Sequence, residues 1–217
     1  ISFESGINQL GGDIINLSLD LEGNTENKSL IEVAEKCLQN SLDVLKPGIT
    51  TSQIGKEIYR TAISNNMNPI VNLSGHEIDR YDLHAGIMIP NIDDKKNILL
   101  HEGTYAIEPF VTFGNGKVHD GAPSGIYSLT DSKNVRSPTA REILTHIIDE
   151  YGTLPFCERW LVKEFGAKAK LALRQLEAQG NLHQYPQLVE DSKRKVAQAE
   201  HTFLLTDKIT ITTQEKQ

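Results

Sequence analysis

The sequence predicts an α+β protein, and three observations carry that prediction. Apolar residues alternate with period two over 13–21, two amphipathic helical patterns follow in series, and strand patterning returns after a helix-rich stretch near the C-terminal end. Strands that flank a helix pair, then an inserted helical piece, then further strand, fit an α+β layer architecture.

Residues 1–27 read as two strands joined by a Gly/Asn-rich turn, with Ile15, Leu17, Leu19 and Leu21 apolar against Asn16, Ser18 and Asp20. Residues 28–50 read as a helix whose stripe includes Leu30, Ala34, Cys37, Leu38 and Leu45, stopped by Pro47-Gly48. A second helix starts at Ser52, read as its N-cap, and runs through Ile54, Ile58 and Ala62. A histidine-bearing segment over 70–91 precedes a strand over 104–113, and GNGK turns the chain back. Residues 137–187 are read as helical, with Ser137 as N-cap and Pro138 at the first helical position. The tail returns to strand in VAQAEHTFLL and KITITT.

With 217 residues, the chain is one large domain or one domain with a subdomain. Its 22 basic and 29 acidic side chains leave a net charge of −7, which argues against nucleic acid as the main ligand. Lys193-Arg194-Lys195, the only dense basic run, reads as a solvated turn. Cys37 falls on a helix stripe, so a reduced, buried thiol is expected rather than a disulfide with Cys157. With neither a membrane-length apolar run nor a signal-peptide pattern, a cytoplasmic protein is expected.

Carboxylates in apolar strands are the informative feature. Asp13 shares the parity of Ile15 and Leu17, Glu108 lies in the apolar run TYAIEPFVTF, and Glu200 lies in VAQAEHTFLL. A lone buried carboxylate costs several kcal/mol unless compensated. Each acid taken singly is equally well read as a water-facing edge residue. Converging on one site, they would suit a divalent cation, which takes hard oxygen ligands. GHEIDRYDLHAG adds His76 and His84, either of which is a candidate ligand or catalytic group. His101, His119, His146, His183 and His201 read as surface or satisfied core histidines.

NLSGHEIDRYDLHAG, EGTYAIEPF, GNGKVHD, YGTLPFCERW and VAQAEHTFLL, in this order, resemble the type-II methionine aminopeptidases of archaea and eukaryotes. The resemblance implies the pita-bread (creatinase/aminopeptidase) fold, with 1–125 and 188–217 as catalytic domain and 126–187 as a helical, winged-helix-like insertion. It implies removal of the initiator methionine from nascent polypeptides whose second residue is small, by a metal-activated water. It implies Asp13, His76, Glu108 and Glu200 as metal ligands, Glu108 also as proton shuttle, and His84 as a substrate-facing group that binds no metal. The implied cofactors are divalent ions, two per site, drawn from cobalt, manganese, iron or zinc. The implied partners are nascent N-termini and the ribosome, with no membrane or specific nucleic acid, for a monomeric protein.

Two departures qualify these expectations. Ser2 stands where the family has its first aspartate, so the second metal would lose its private ligand and one-metal binding through the other four residues is expected. The chain starts at Ile1, where the family has further residues, so the N-terminal part of the fold is expected to be missing and activity of this chain to be low. The alternative reading is a catalytically impaired pita-bread homologue that serves as a binding module for protein, RNA or ribosome.

Overall fold

The computed structural model describes residues 25–213, which form two compact units: 25–119 with 188–213, and 120–187. Asp13, Ser2 and the strands expected before residue 25 lie outside the described residues. In the first unit, helix α1 (Thr25–Asp43) places Leu30, Val33, Ala34, Cys37, Leu38 and Ser41 on one buried stripe. This i, i+3, i+4 spacing makes a continuous apolar face. The helix begins at Thr25, within the stretch expected to end in strand and turn. Helix α2 (Thr51–Ser64) is capped by Thr50 rather than Ser52: the Thr50 side chain accepts from the Gln53 amide, and Gln53 Oε1 accepts from Thr50 N–H at 2.9 Å. That capping box satisfies two helix-end donors at once. Ser52 is buried instead; it donates to Asp94 at 2.7 Å and accepts from Asn97 N–H.

Both helices bury their apolar faces in one core with a five-stranded antiparallel sheet of order β11-β10-β4-β2-β3. Its strands are β2 (Ser74–Ile78), β3 (Met88–Pro90), β4 (Gly103–Ile107), β10 (His201–Leu205) and β11 (Ile209–Ile211). A three-stranded sheet of order β1-β5-β9 continues it, from β1 (Asn68–Pro69), β5 (Phe110–Thr112) and β9 (Val196–Gln198). The single strand expected over 104–113 is thus split after Ile107. Pro109 has no N–H to give the ladder, and pairing lapses around it. Tyr105, Ile107, Val111, Ala197, Phe203 and Leu205 all point to the helix-covered core. Residues of the opposite parity face away from it.

The second unit is less helical than expected. Its sheet, of order β7-β6-β8, uses the long strands β6 (Val118–Leu129) and β8 (Leu182–Glu190) with the short β7 (Phe156–Cys157). Helices α3 (Pro138–Glu150), α4 (Glu158–Phe165) and α5 (Lys168–Ala178) pack in a separate core. Ser137 caps α3 with Pro138 at its start, as expected. Gly166, at φ 69°, ends α4 and divides one expected helix into two. Strand β6 is half polar and largely exposed in its first half, so no apolar alternation marks it. Among the described residues neither cysteine forms a disulfide; both are buried, and burial pushes the Cys37 thiol up to about 12. Among the described residues, no helix is long and apolar enough to cross a membrane.

Candidate metal centre

The site lies in the first unit, on the face of the sheet turned away from the helices. In the ladder between β4 and β10, Ile107 faces His201; between β5 and β9, Phe110 faces Gln198. The two ladders share one register, so Glu108 faces Glu200 across the break, and Ala199 N–H still donates to Pro109 O at 3.2 Å. Both glutamates are 4% exposed. Carboxylates directly opposite on adjacent strands lie within ~5 Å at their Cβ atoms and repel. A cation between two buried, facing acids relieves that repulsion.

A row further along the same face, His76 pairs with Ala106, whose methyl leaves room above the sheet. Gly75 allows the strands to approach this closely, because a Cβ there would collide with the Ala106 carbonyl oxygen. His76 is 2% exposed, and its Nε2 lies 3.0 Å from Glu108 Oε1. That separation suits an ion pair when the imidazole is protonated. On its other side, His76 Nδ1 lies 3.2 Å from the Glu77 carbonyl oxygen. An Nδ1–H donated to this carbonyl leaves the lone pair on Nε2, the atom a metal takes. Lone pairs of nitrogen and carboxylate then point at one another. An ion of the kind bound by oxygen and imidazole fits this donor set. Burial pushes the His76 pKa down, but the Glu108 carboxylate and the Glu77 and Leu83 backbone outweigh it and leave it raised.

Gln198 completes the first carboxylate's surroundings by donating from Nε2 to Glu108 Oε2 at 2.9 Å. Sequence reading missed this residue, although Gln198 shares the strand parity of Glu200. His84 stands in an exposed turn with its ring centroid 4.4 Å from that of His76, tilted by 59°. Desolvation and the neighbouring His76 lower its pKa, so its imidazole is held neutral. His76, Glu108, Glu200 and His84 are thus brought onto one face. Among the described residues, no three His, Cys, Asp or Glu side chains gather closely enough to hold an ion by themselves, and the expected ligand Asp13 lies outside those residues. The remaining histidines are engaged elsewhere, His119 with Asp191 and His201 with Thr213, for example.

Residues 17–207 match the model of metallopeptidase family M24. The methionine aminopeptidase of Pyrococcus horikoshii is 41% identical over 209 residues, covering 94% of this chain and 71% of that protein. That of Saccharolobus solfataricus is 33% identical over 211 residues, covering 94% and 69%. Among solved structures, a thermophilic Arx1 superposes with a TM-score of 0.63 at 19% identity, over 86% of this chain and 57% of that one. Methionine aminopeptidase from Thermotoga maritima gives 0.54 at 22% identity, over 88% and 53%. The chain therefore spans little more than half of the solved structures it matches. These likenesses define the fold as pita-bread. The chain belongs to metallopeptidase family M24, and by family it is a metallo-exopeptidase similar to the archaeal methionine aminopeptidases.

Proposed function

We propose that this chain is the catalytic part of an enzyme that removes the initiator methionine from nascent polypeptides whose second residue is small. The observation that carries the reading is the pair of buried, facing glutamates beside a buried histidine whose Nε2 points at one of them. His76, Glu108, Glu200 and, outside the described residues, Asp13 would hold divalent metal. When bound, such an ion supplies Lewis acidity that lowers the pKa of a water and polarises the scissile carbonyl.

The chain's own groups do the rest. Glu108, with one oxygen oriented by Gln198, accepts the proton of the attacking water and returns it to the leaving amine. His84, neutral and adjacent to His76, donates a hydrogen bond to the substrate as charge develops on its carbonyl oxygen. Residues 126–187 are an insertion in the sequence of the catalytic domain formed by 1–125 and 188–217. The working compartment is the cytoplasm, the chain acts as a monomer, and manganese, iron, cobalt or zinc is the ion.

Release of methionine from a Met-Ala-Ser peptide, measured with manganese, iron(II) or cobalt, tests this directly. Ser2 and Ser2→Asp proteins should be compared: release only by Ser2→Asp means that Ser2 weakens the second metal position. No release by either form sinks the enzyme reading. Ser2, in the place of the family's first aspartate, favours the second reading, a binding module that has kept the fold and lost the chemistry.

A further inference from the structure

We infer that Glu77 is a positioning residue that locks the 79–87 loop, and with it His84, and that His101 holds Glu77 in that role. The inference rests on the proposed reading of His84 as a substrate-facing group. Glu77 follows His76 in β2 and belongs to the other face of the strand, paired in register with the buried Tyr105. Its backbone closes both sides of the loop: Glu77 N–H donates to Ile87 O at 2.8 Å, and Ala85 N–H donates to Glu77 O at 3.0 Å. Its carboxylate adds a third tie, with Ile87 N–H donating to Oε2 at 3.1 Å.

The other carboxylate oxygen, Oε1, lies 2.9 Å from His101 Nε2. The Glu77 side chain is 15% exposed and that of His101 60%, so the imidazole covers the acid from the solvent side. His101 is itself set by Tyr105, whose hydroxyl donates to the His101 carbonyl at 3.0 Å and whose ring meets the imidazole edge-on at 6.1 Å. Gly86, at φ +145°, passes close to the clamp: a Cβ there would sit 3.2 Å from Glu77 Oε2. At the loop tip Arg80, Tyr81 and Asp82 are exposed, while the Leu83 backbone and the His84 ring meet His76. Within the tip, the Asp79–Asp82 bridge and the His84 N–H to Asp82 Oδ1 bond, at 3.2 Å, are local. A chain of contacts thus runs from the core at Tyr105 through His101 and Glu77 to the segment that carries His84.

Amide hydrogen exchange of the intact protein reads the clamp without activity. Exchange at Ile87 should quicken roughly tenfold in Glu77→Ala, the loss of one hydrogen bond, and stay near the parent rate in Glu77→Gln, whose amide oxygen still accepts. His101→Ala should give an intermediate increase, and it carries the test alone if Glu77→Ala fails to fold. With Met-Ala-Ser as substrate, Glu77→Ala should lower kcat with little change in KM, and Glu77→Gln should restore most of it. Manganese binding should be unchanged in all three. Unaltered Ile87 exchange in Glu77→Ala or His101→Ala overturns the inference, as does equal loss in Glu77→Ala and Glu77→Gln. If the parent protein releases no methionine, the proposed function fails, while the exchange result still decides the clamp.

Discussion

The two compact units differ in what they bury. The second unit's core is aromatic and aliphatic, with Tyr127, Phe156 and Tyr151 stacked at centroid separations of 6.0 and 5.1 Å and no fully buried acid among its described residues. The first unit buries Glu108, Glu190 and Glu200. Glu190 is matched by donors: the amides of Asn115, Ser192 and Arg194 and the Ser192 hydroxyl all give to its carboxylate. Glu108 and Glu200 face each other instead, with an imidazole beside one of them. A buried acid surrounded by donors is explained by folding alone. Two acids that face each other repel, and a cation between them relieves that repulsion.

The largest expected effect is at this pair. Glu108→Gln should cut methionine release by at least ~100-fold, the scale of lost general acid–base catalysis. Without added metal, the same variant should be more stable by up to ~1 kcal/mol, because facing like charges are removed. Thermal unfolding with and without manganese checks both signs, and a destabilised metal-free Glu108→Gln would break the contrast with Glu190. In the second unit, Phe156→Ala should cost about 3–5 kcal/mol in urea unfolding, since it empties a stacked aromatic position.

Glu190→Gln should lose about 1–3 kcal/mol, because donors arranged for a carboxylate then meet an amide. Burial pushes the Glu190 pKa up, but hydrogen bonds from Ser192, Arg194 and Asn115 hold it below its ordinary value. A depressed folded-state pKa stabilises the protein above the ordinary carboxylate range, and that stabilisation is lost as pH falls through the folded value. The stability gap between parent and Glu190→Gln should therefore be constant near neutral pH and narrow under acid; a gap that widens as pH falls contradicts it. The smallest effect is expected at the α2 cap, where Thr50→Ala should cost ~1 kcal/mol in the same unfolding measurement.

Helix stripes and caps were legible where they depend on near neighbours. The α1 face from Leu30 to Ser41 and the Ser137-Pro138 start of α3 follow from local spacing and capping chemistry. Ser52 misled for an equally local reason: Thr50 and Ser52 are both good caps, and only the contact of Ser52 with Asp94, a distant residue, assigned it elsewhere. Strands β6 and β8 were not legible, because their polar, partly exposed residues carry no alternation and their pairing is non-local.

At the site, the sequence by itself determined which residue types were available: acids in apolar strands, and two histidines in a glycine-braced segment. The sequence marked Glu108 and Glu200 as acids set in apolar strands, each of which taken singly reads equally well as a water-facing edge residue. Only the tertiary structure decided that they face each other, because that depends on two ladders sharing one register across the break at Pro109. It also decided the parts played by Gln198 and Glu77, whose partners are reached through strand pairing and loop closure rather than through sequence spacing.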